Sequence, residues 1–186
     1  MPGDEQFQQI LDAMKVAAAA LRDGGVPFAL AGGLAVYARG GPPTEHDVDF
    51  LIRAEDVDRA VELLGDAGFS VERPPEGWLY KAFDSSGAMI DLIFAPNGRP
   101  ELVPAILERA VQIEVYAITM PVMSVTDVLE SKLLALKEHE VDYEDVLEIA
   151  RTCREQIEWD RLRTRVADSP YAKAFLTLAD ELALTS

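Results

Sequence analysis

The chain has 186 residues, enough for one well-cored domain or a domain with a small helical appendage. Its 33 acidic residues against 17 basic ones leave a formal net charge of −16, which disfavours a large nucleic-acid footprint and suits a small or cationic partner. Apolar residues make up 49%, no stretch approaches the roughly 20 apolar residues that cross a bilayer, Met1 to Glu5 lacks a signal peptide's basic start, and the single cysteine, Cys153, cannot form an internal disulfide, so a cytoplasmic protein is expected.

Apolar residues at helical spacing from Phe7 to Leu21 predict a first helix over Glu5 to Arg22, ended by Gly24-Gly25. Phe28 to Ala31 is a short apolar strand that stops at Gly32-Gly33, and Leu34, Ala35, Tyr37 and Ala38 then suit a turn and a half of helix. Gly40-Gly41-Pro42-Pro43 is a loop leading into a second strand, which carries Asp47 and Asp49 in an otherwise apolar run ending at Ile52. Glu55 to Ala67 is an amphipathic helix closed by Gly68, and Phe69 to Arg73 is a short strand. Trp78 to Phe83 and Ala88 to Phe94 form a hairpin around Asp84-Ser85-Ser86-Gly87. Pro100 to Ala110 reads as a short helix, and Val111 to Met120 as strand. Beyond Val122 the pattern is helical only. Helices start at Ser124, Asp142, Glu158 and Ser169-Pro170, the first on a capping-box-like Ser124-Val-Thr-Asp127. The expected class is α+β, a mixed sheet flanked by helices over residues 1–121, followed by a helical region over 122–186.

Strand side chains alternate, so Asp47 and Asp49 share one face while Val48, Phe50 and Ile52 face the other. Two carboxylates held that close raise each other's pKa unless a cation neutralises them. A hard divalent ion with oxygen ligands is the natural occupant, and Mg²⁺ usually keeps substrate phosphates in its shell as well. The Gly32-Gly33 turn lets backbone approach a ligand and leaves amide N–H groups free for phosphate oxygens. The plainer readings are surface acids on an edge strand and an ordinary tight turn.

Gly32-Gly33, a helix, and Asp47-x-Asp49 on a strand, in that order, resemble the signature of the DNA-polymerase-beta-type nucleotidyltransferases. The small stand-alone members are the most similar, namely antibiotic nucleotidyltransferases and abortive-infection type toxins of toxin–antitoxin pairs. The resemblance covers residues 28 to 150 and implies a nucleotidyltransferase-like mixed sheet. It implies a third carboxylate on a later strand between apolar neighbours, which Ile90-Asp91-Leu92 fits, so that Asp47, Asp49 and Asp91 are the catalytic, metal-binding residues for Mg²⁺, with two ions expected. Gly32, Gly33, Thr44 and Lys132 are the implied nucleotide-binding residues, with Lys137 a weaker candidate and Asp142 and Asp145 in support. Asp142 equally suits an N-cap. The chain departs from the family at Pro42-Pro43, where an arginine often stands, and Thr44 lies three residues before Asp47 instead of two. Arg39 also falls near a position the family uses.

The implied activity is transfer of a nucleoside monophosphate from an NTP to a hydroxyl, with release of pyrophosphate. A small, antibiotic-like acceptor fits the acidic balance, while DNA and membranes are not expected partners. A toxin-type enzyme acting on RNA or protein and an inactive nucleotide- or partner-binding module are the alternatives. RNA would need the one dense basic cluster, Arg151, Arg154, Arg161, Arg163 and Arg165. His46 and His139 lack metal-ligand spacing, Trp78 and Tyr80 read as core or pocket wall, and Cys153 as a buried helix residue.

Overall fold

The computed structural model describes residues 2–43 and 48–185. Thr44 and Asp47 lie outside the described residues. In chain order the elements are α1 (Pro2–Asp23), β1 (Phe28–Leu30), α2 (Gly32–Ala38), β2 (Val48–Ile52), α3 (Val57–Asp66), β3 (Ser70–Glu72), β4 (Leu79–Phe83), β5 (Met89–Ile93) and α4 (Val103–Arg109). There follow β6 (Val111–Val115), β7 (Ile118–Val122), α5 (Val125–Ala135), α6 (Glu144–Thr152), α7 (Trp159–Arg165) and α8 (Pro170–Glu181). The strands form one sheet in the order β3-β4-β5-β2-β1-β7-β6. Strand β2 pairs parallel with β5, β1 parallel with β7, and the remaining pairs are antiparallel. The architecture is the expected α+β mixed sheet with helices packed on it.

Strand β2 sits at the middle of the sheet, and Val48, Phe50, Leu51 and Ile52 are each at most 1% exposed. Both its faces are therefore covered, and its sequence is a nearly continuous apolar run with Asp49 as the exception. Helix α1 packs on β5 and α3, α4 lies against β2, and α2 lies against β2 and α5. Gly24, just past α1, abuts α3: a Cβ there would fall 2.2 Å from a Leu63 methyl carbon. Helix α5 buries Val125, Thr126, Asp127, Val128, Leu129, Glu130 and Leu133, which is most of its circumference. No helix among the described residues is long and apolar enough to cross a membrane.

Two local readings change. The run from Val111 to Met120 is a hairpin instead of one strand. It turns at Tyr116-Ala117, where φ is 48° and 67°. That geometry is a primed two-residue turn, which normally announces itself with Asn-Gly or Asp-Gly. Here Tyr116 is held by stacking on Tyr37, at 6.1 Å between centroids, and by an edge contact with Phe7 at 5.7 Å. Burial, followed by its contact with Tyr37, pushes the Tyr116 hydroxyl up to about 12. The second change concerns the basic cluster. Arg161 donates to Asp127 and Glu158, Arg165 to Glu130 at 3.0 Å, and Arg163 to Asp180. Arg154 pairs with Glu155 at 3.1 Å. Arg161 and Arg165 thus tie α7 to α5, and Arg163 ties α7 to α8.

Candidate active site

Strand β1 delivers the chain directly into α2 at Gly32, whose φ of +59° is in the left-handed region. A Cβ at Gly32 would fall 1.8 Å from Asp49 Oδ2 and 2.9 Å from its Cγ. The glycine is thus required twice, by its backbone conformation and by the carboxylate resting on it. The Ala31 N–H donates to the Asp49 carbonyl at 2.8 Å, tying the turn to β2 at the same point.

The parallel register of β2 and β5 places Asp49 opposite Asp91. In-register neighbours on adjacent strands share a sheet face, so the expected second and third carboxylates stand side by side. One strand further out, the antiparallel register of β4 and β5 sets Lys81 opposite Asp91. Its Nζ lies 3.1 and 3.4 Å from the two Asp91 carboxylate oxygens and 3.4 Å from Met89 Sδ. The Asp91 side chain is only 14% exposed.

A cleft of about 800 Å³ opens over this region. Gly32, Gly33 and Asp49 line it on the sheet side, and Lys132, Lys137 and Asp145 line it from the helical region. Lys132 Nζ is 3.3 Å from an Asp145 carboxylate oxygen. Trp78, 36% exposed, and Asn97 complete the wall. Asn97 is fixed by an N–H donated to the Ser131 carbonyl at 3.1 Å. The volume is typical of small-molecule sites. Its charged lining is two lysines, Lys132 and Lys137, and three carboxylates, Asp49, Asp145 and Glu148.

The other candidates take different places. Asp142 accepts from the Glu144 N–H at 2.9 Å in the turn that leads into α6, whose N-cap position falls to Tyr143 and not to Asp142. Arg39 is a strut: its guanidinium donates to the Val122 carbonyl at 2.8 Å and to the Met123 carbonyl, and burial lowers its pKa. Cys153 is buried.

Lys81 is the site residue that sequence reasoning missed. The expected hairpin turned over Asp84 to Gly87 and so closed at Phe83 and Ala88. In the structure Phe83 pairs with Met89, and Ala88 lies in the turn. There Asp84 accepts from the Ser86 N–H at 2.8 Å and the Ala88 N–H at 2.9 Å. That single extra residue changes the partner of Asp91 from Tyr80 to Lys81.

Asp49 and Asp91, in register on adjacent strands, offer the hard oxygen donors that Mg²⁺ takes. The donor set therefore fits a divalent ion. Among the described residues no group of three acidic, histidine or cysteine side chains forms, Asp47 lying outside them.

Residues 5–182 match the model of a family described as uncharacterised nucleotidyltransferases. No sequence of a curated protein matches the chain. Among solved structures, the chain is similar to ANT(2″)-Ia in complex with adenylyl-2″-tobramycin, at 14% identity and a TM-score of 0.60, over 90% of this chain and 99% of that one. It is also similar to the lincosamide antibiotic adenylyltransferase LnuA with lincomycin bound, at 18% identity and a TM-score of 0.50, over 78% of this chain and 92% of that one. A third is an antigenic nucleotidyltransferase-like protein from Paracoccidioides brasiliensis, at 16% identity and a TM-score of 0.53, over 91% and 87%. At these identities the likeness carries the fold alone.

Proposed function

The chain belongs to this family of nucleotidyltransferases, and on that premise we propose that it moves a nucleoside monophosphate from an NTP to a hydroxyl of a small, cationic, antibiotic-like acceptor, with the help of Mg²⁺. The observation that carries the reading is the carboxylate of Asp49, seated on Gly32 at the wall of a cleft that also holds two lysines, with Asp91 in register beside it on the next strand.

Asp47, Asp49 and Asp91 are assigned to hold the metal, one or two ions. Bound there, the metal neutralises charge on the transferring phosphoryl group and lowers the pKa of an acceptor hydroxyl. Asp91 is assigned to take the hydroxyl proton as the oxygen attacks the α-phosphorus in line. The bond to the bridging oxygen breaks and pyrophosphate leaves. Gly32 and Gly33 N–H groups are assigned to the β- and γ-phosphate oxygens, with Thr44 beside them. Lys132 exchanges its contact with the exposed Asp145 for the triphosphate, supported by Lys137.

Support for a small acceptor comes from three sides. The net charge of −16 opposes a polyanion. Arg161, Arg163 and Arg165 of α7 are each engaged in an ion pair. Two structural neighbours are shown with a lincosamide and an adenylylated aminoglycoside. The test is transfer of label from α- against γ-labelled NTPs, with Mg²⁺, to a panel of aminoglycosides, lincosamides, total RNA and protein. Label from the α-position on a small acceptor is the expected result. Label on RNA or protein only would overturn the acceptor class, and no α-label on any acceptor would make the chain a binding module.

A further inference from the structure

We propose that Lys81 is a positioning residue that holds the Asp91 carboxylate in place beside Asp49 and weakens divalent-cation binding to the nucleotide-free site, so that the full metal complement enters with the nucleotide. The inference rests on the assignment of Asp49 and Asp91 as metal ligands.

The strand order β4-β5-β2 sets Lys81, Asp91 and Asp49 in a row across the sheet. Lys81 approaches Asp91 from the side opposite Asp49, with Nζ within 3.4 Å of both carboxylate oxygens. A cation shared by Asp49 and Asp91 therefore does not compete for the space the ammonium occupies. Two effects follow. The ammonium, within 3.4 Å of both oxygens, restrains the rotamer of Asp91 beside the like charge of Asp49. It also removes one unit of negative charge from the acidic group, and so lowers the group's attraction for a divalent ion. A triphosphate brings several more negative oxygens and restores that attraction. Lys81 is 29% exposed at its side chain and packs on Met89, so it is held in the site and not free in solvent.

The experiment is a Mn²⁺ titration of the full chain without nucleotide, followed by the electron paramagnetic resonance of free Mn²⁺. It compares wild type with Lys81→Met, Lys81→Gln and Lys81→Arg, each checked for its melting temperature. A unit charge acting on a doubly charged ion across one carboxylate changes affinity on the order of tenfold even at high dielectric. Lys81→Met and Lys81→Gln are expected to bind Mn²⁺ about tenfold more tightly than wild type, and Lys81→Arg to bind as wild type does. Addition of a non-hydrolysable NTP analogue should narrow that difference. A merely structural role would shift the melting temperature and leave Mn²⁺ affinity alone. Equal or weaker Mn²⁺ binding in the Met and Gln variants overturns the inference. Mn²⁺ binding that survives Asp49→Asn unchanged overturns instead the metal-ligand assignment beneath it, and the inference falls with that assignment.

Discussion

At the scale of single residues, Gly32 and Asp49 behave as one unit. Gly32→Ala puts a methyl group where Asp49 Oδ2 now lies and forces a left-handed conformation on a residue with a Cβ. The conformation alone costs about 1–2 kcal/mol, and the displaced carboxylate costs more in activity than in stability. Turnover should fall by roughly 100-fold or more, because a misplacement of about 1 Å is enough for that. A steady-state assay beside a thermal melt checks it; a fully active Gly32→Ala enzyme would remove Asp49 from the site. Lys132 tests the nucleotide end of the cleft. Lys132→Ala should raise KM for the NTP several-fold and leave kcat nearly unchanged, since a ground-state phosphate contact is largely uniform between substrate and transition state. Trp78 tests the wall. Its partly exposed indole lines the cleft, and Trp78→Ala is expected to raise KM for the acceptor.

Between elements, the firmest connection is the ionic cluster joining α4, α5 and α7. Asp127, whose side chain is 1% exposed, accepts from Arg109 at 2.7 Å, from Arg161, and from the Ser124 hydroxyl at 2.6 Å. The Asp127 N–H donates to Ser124 Oγ, so the same residue closes the cap of α5. Asp127→Ala strands Arg109 and leaves Arg161 only Glu158, and its cost should fall near the lower end of the roughly 3–5 kcal/mol seen when a buried pair is broken, because both arginines retain some solvent. Arg163→Gln breaks a much more exposed pair with Asp180 and should cost under about 1 kcal/mol. Urea denaturation of the two variants separates them. Equal costs would mean that the Asp127 cluster joins α4, α5 and α7 no more firmly than an exposed ion pair does.

For the whole molecule, the dominant quantity is charge. With −16 spread over 186 residues, the long-range field attracts a cationic acceptor and opposes a polyanion. Raising the salt concentration shortens the Debye length to well under 10 Å and screens that attraction. The value of kcat/KM for a small cationic acceptor should therefore fall as salt rises, through the association step. A salt-independent or rising kcat/KM would show that the net field plays no part in capturing the acceptor.

Much of the candidate site was legible in the chain itself. The Gly32-Gly33 turn between a strand and a helix, the acids on an apolar strand, Asp91 between Ile90 and Leu92, and the periodicity of the helices are local patterns, and local patterns follow from backbone sterics and the burial of one face. What these patterns could not carry was partnership across space. The pairing of β2 with β5, which sets Asp49 beside Asp91, joins segments separated by α3 and the β3–β4 pair. The Lys81–Asp91 contact depends on a hairpin register that one turn residue shifts. The Tyr116-Ala117 turn carries no turn residue and is held by rings from α1 and α2. The arginines of α7 read as a free basic surface until their partners on α5 and α8 are known. Composition and periodicity determined which elements form and which residues bear charge. Only the tertiary structure decided which charges meet, because side chains distant in sequence become neighbours only once the sheet's register and the helix packing are set.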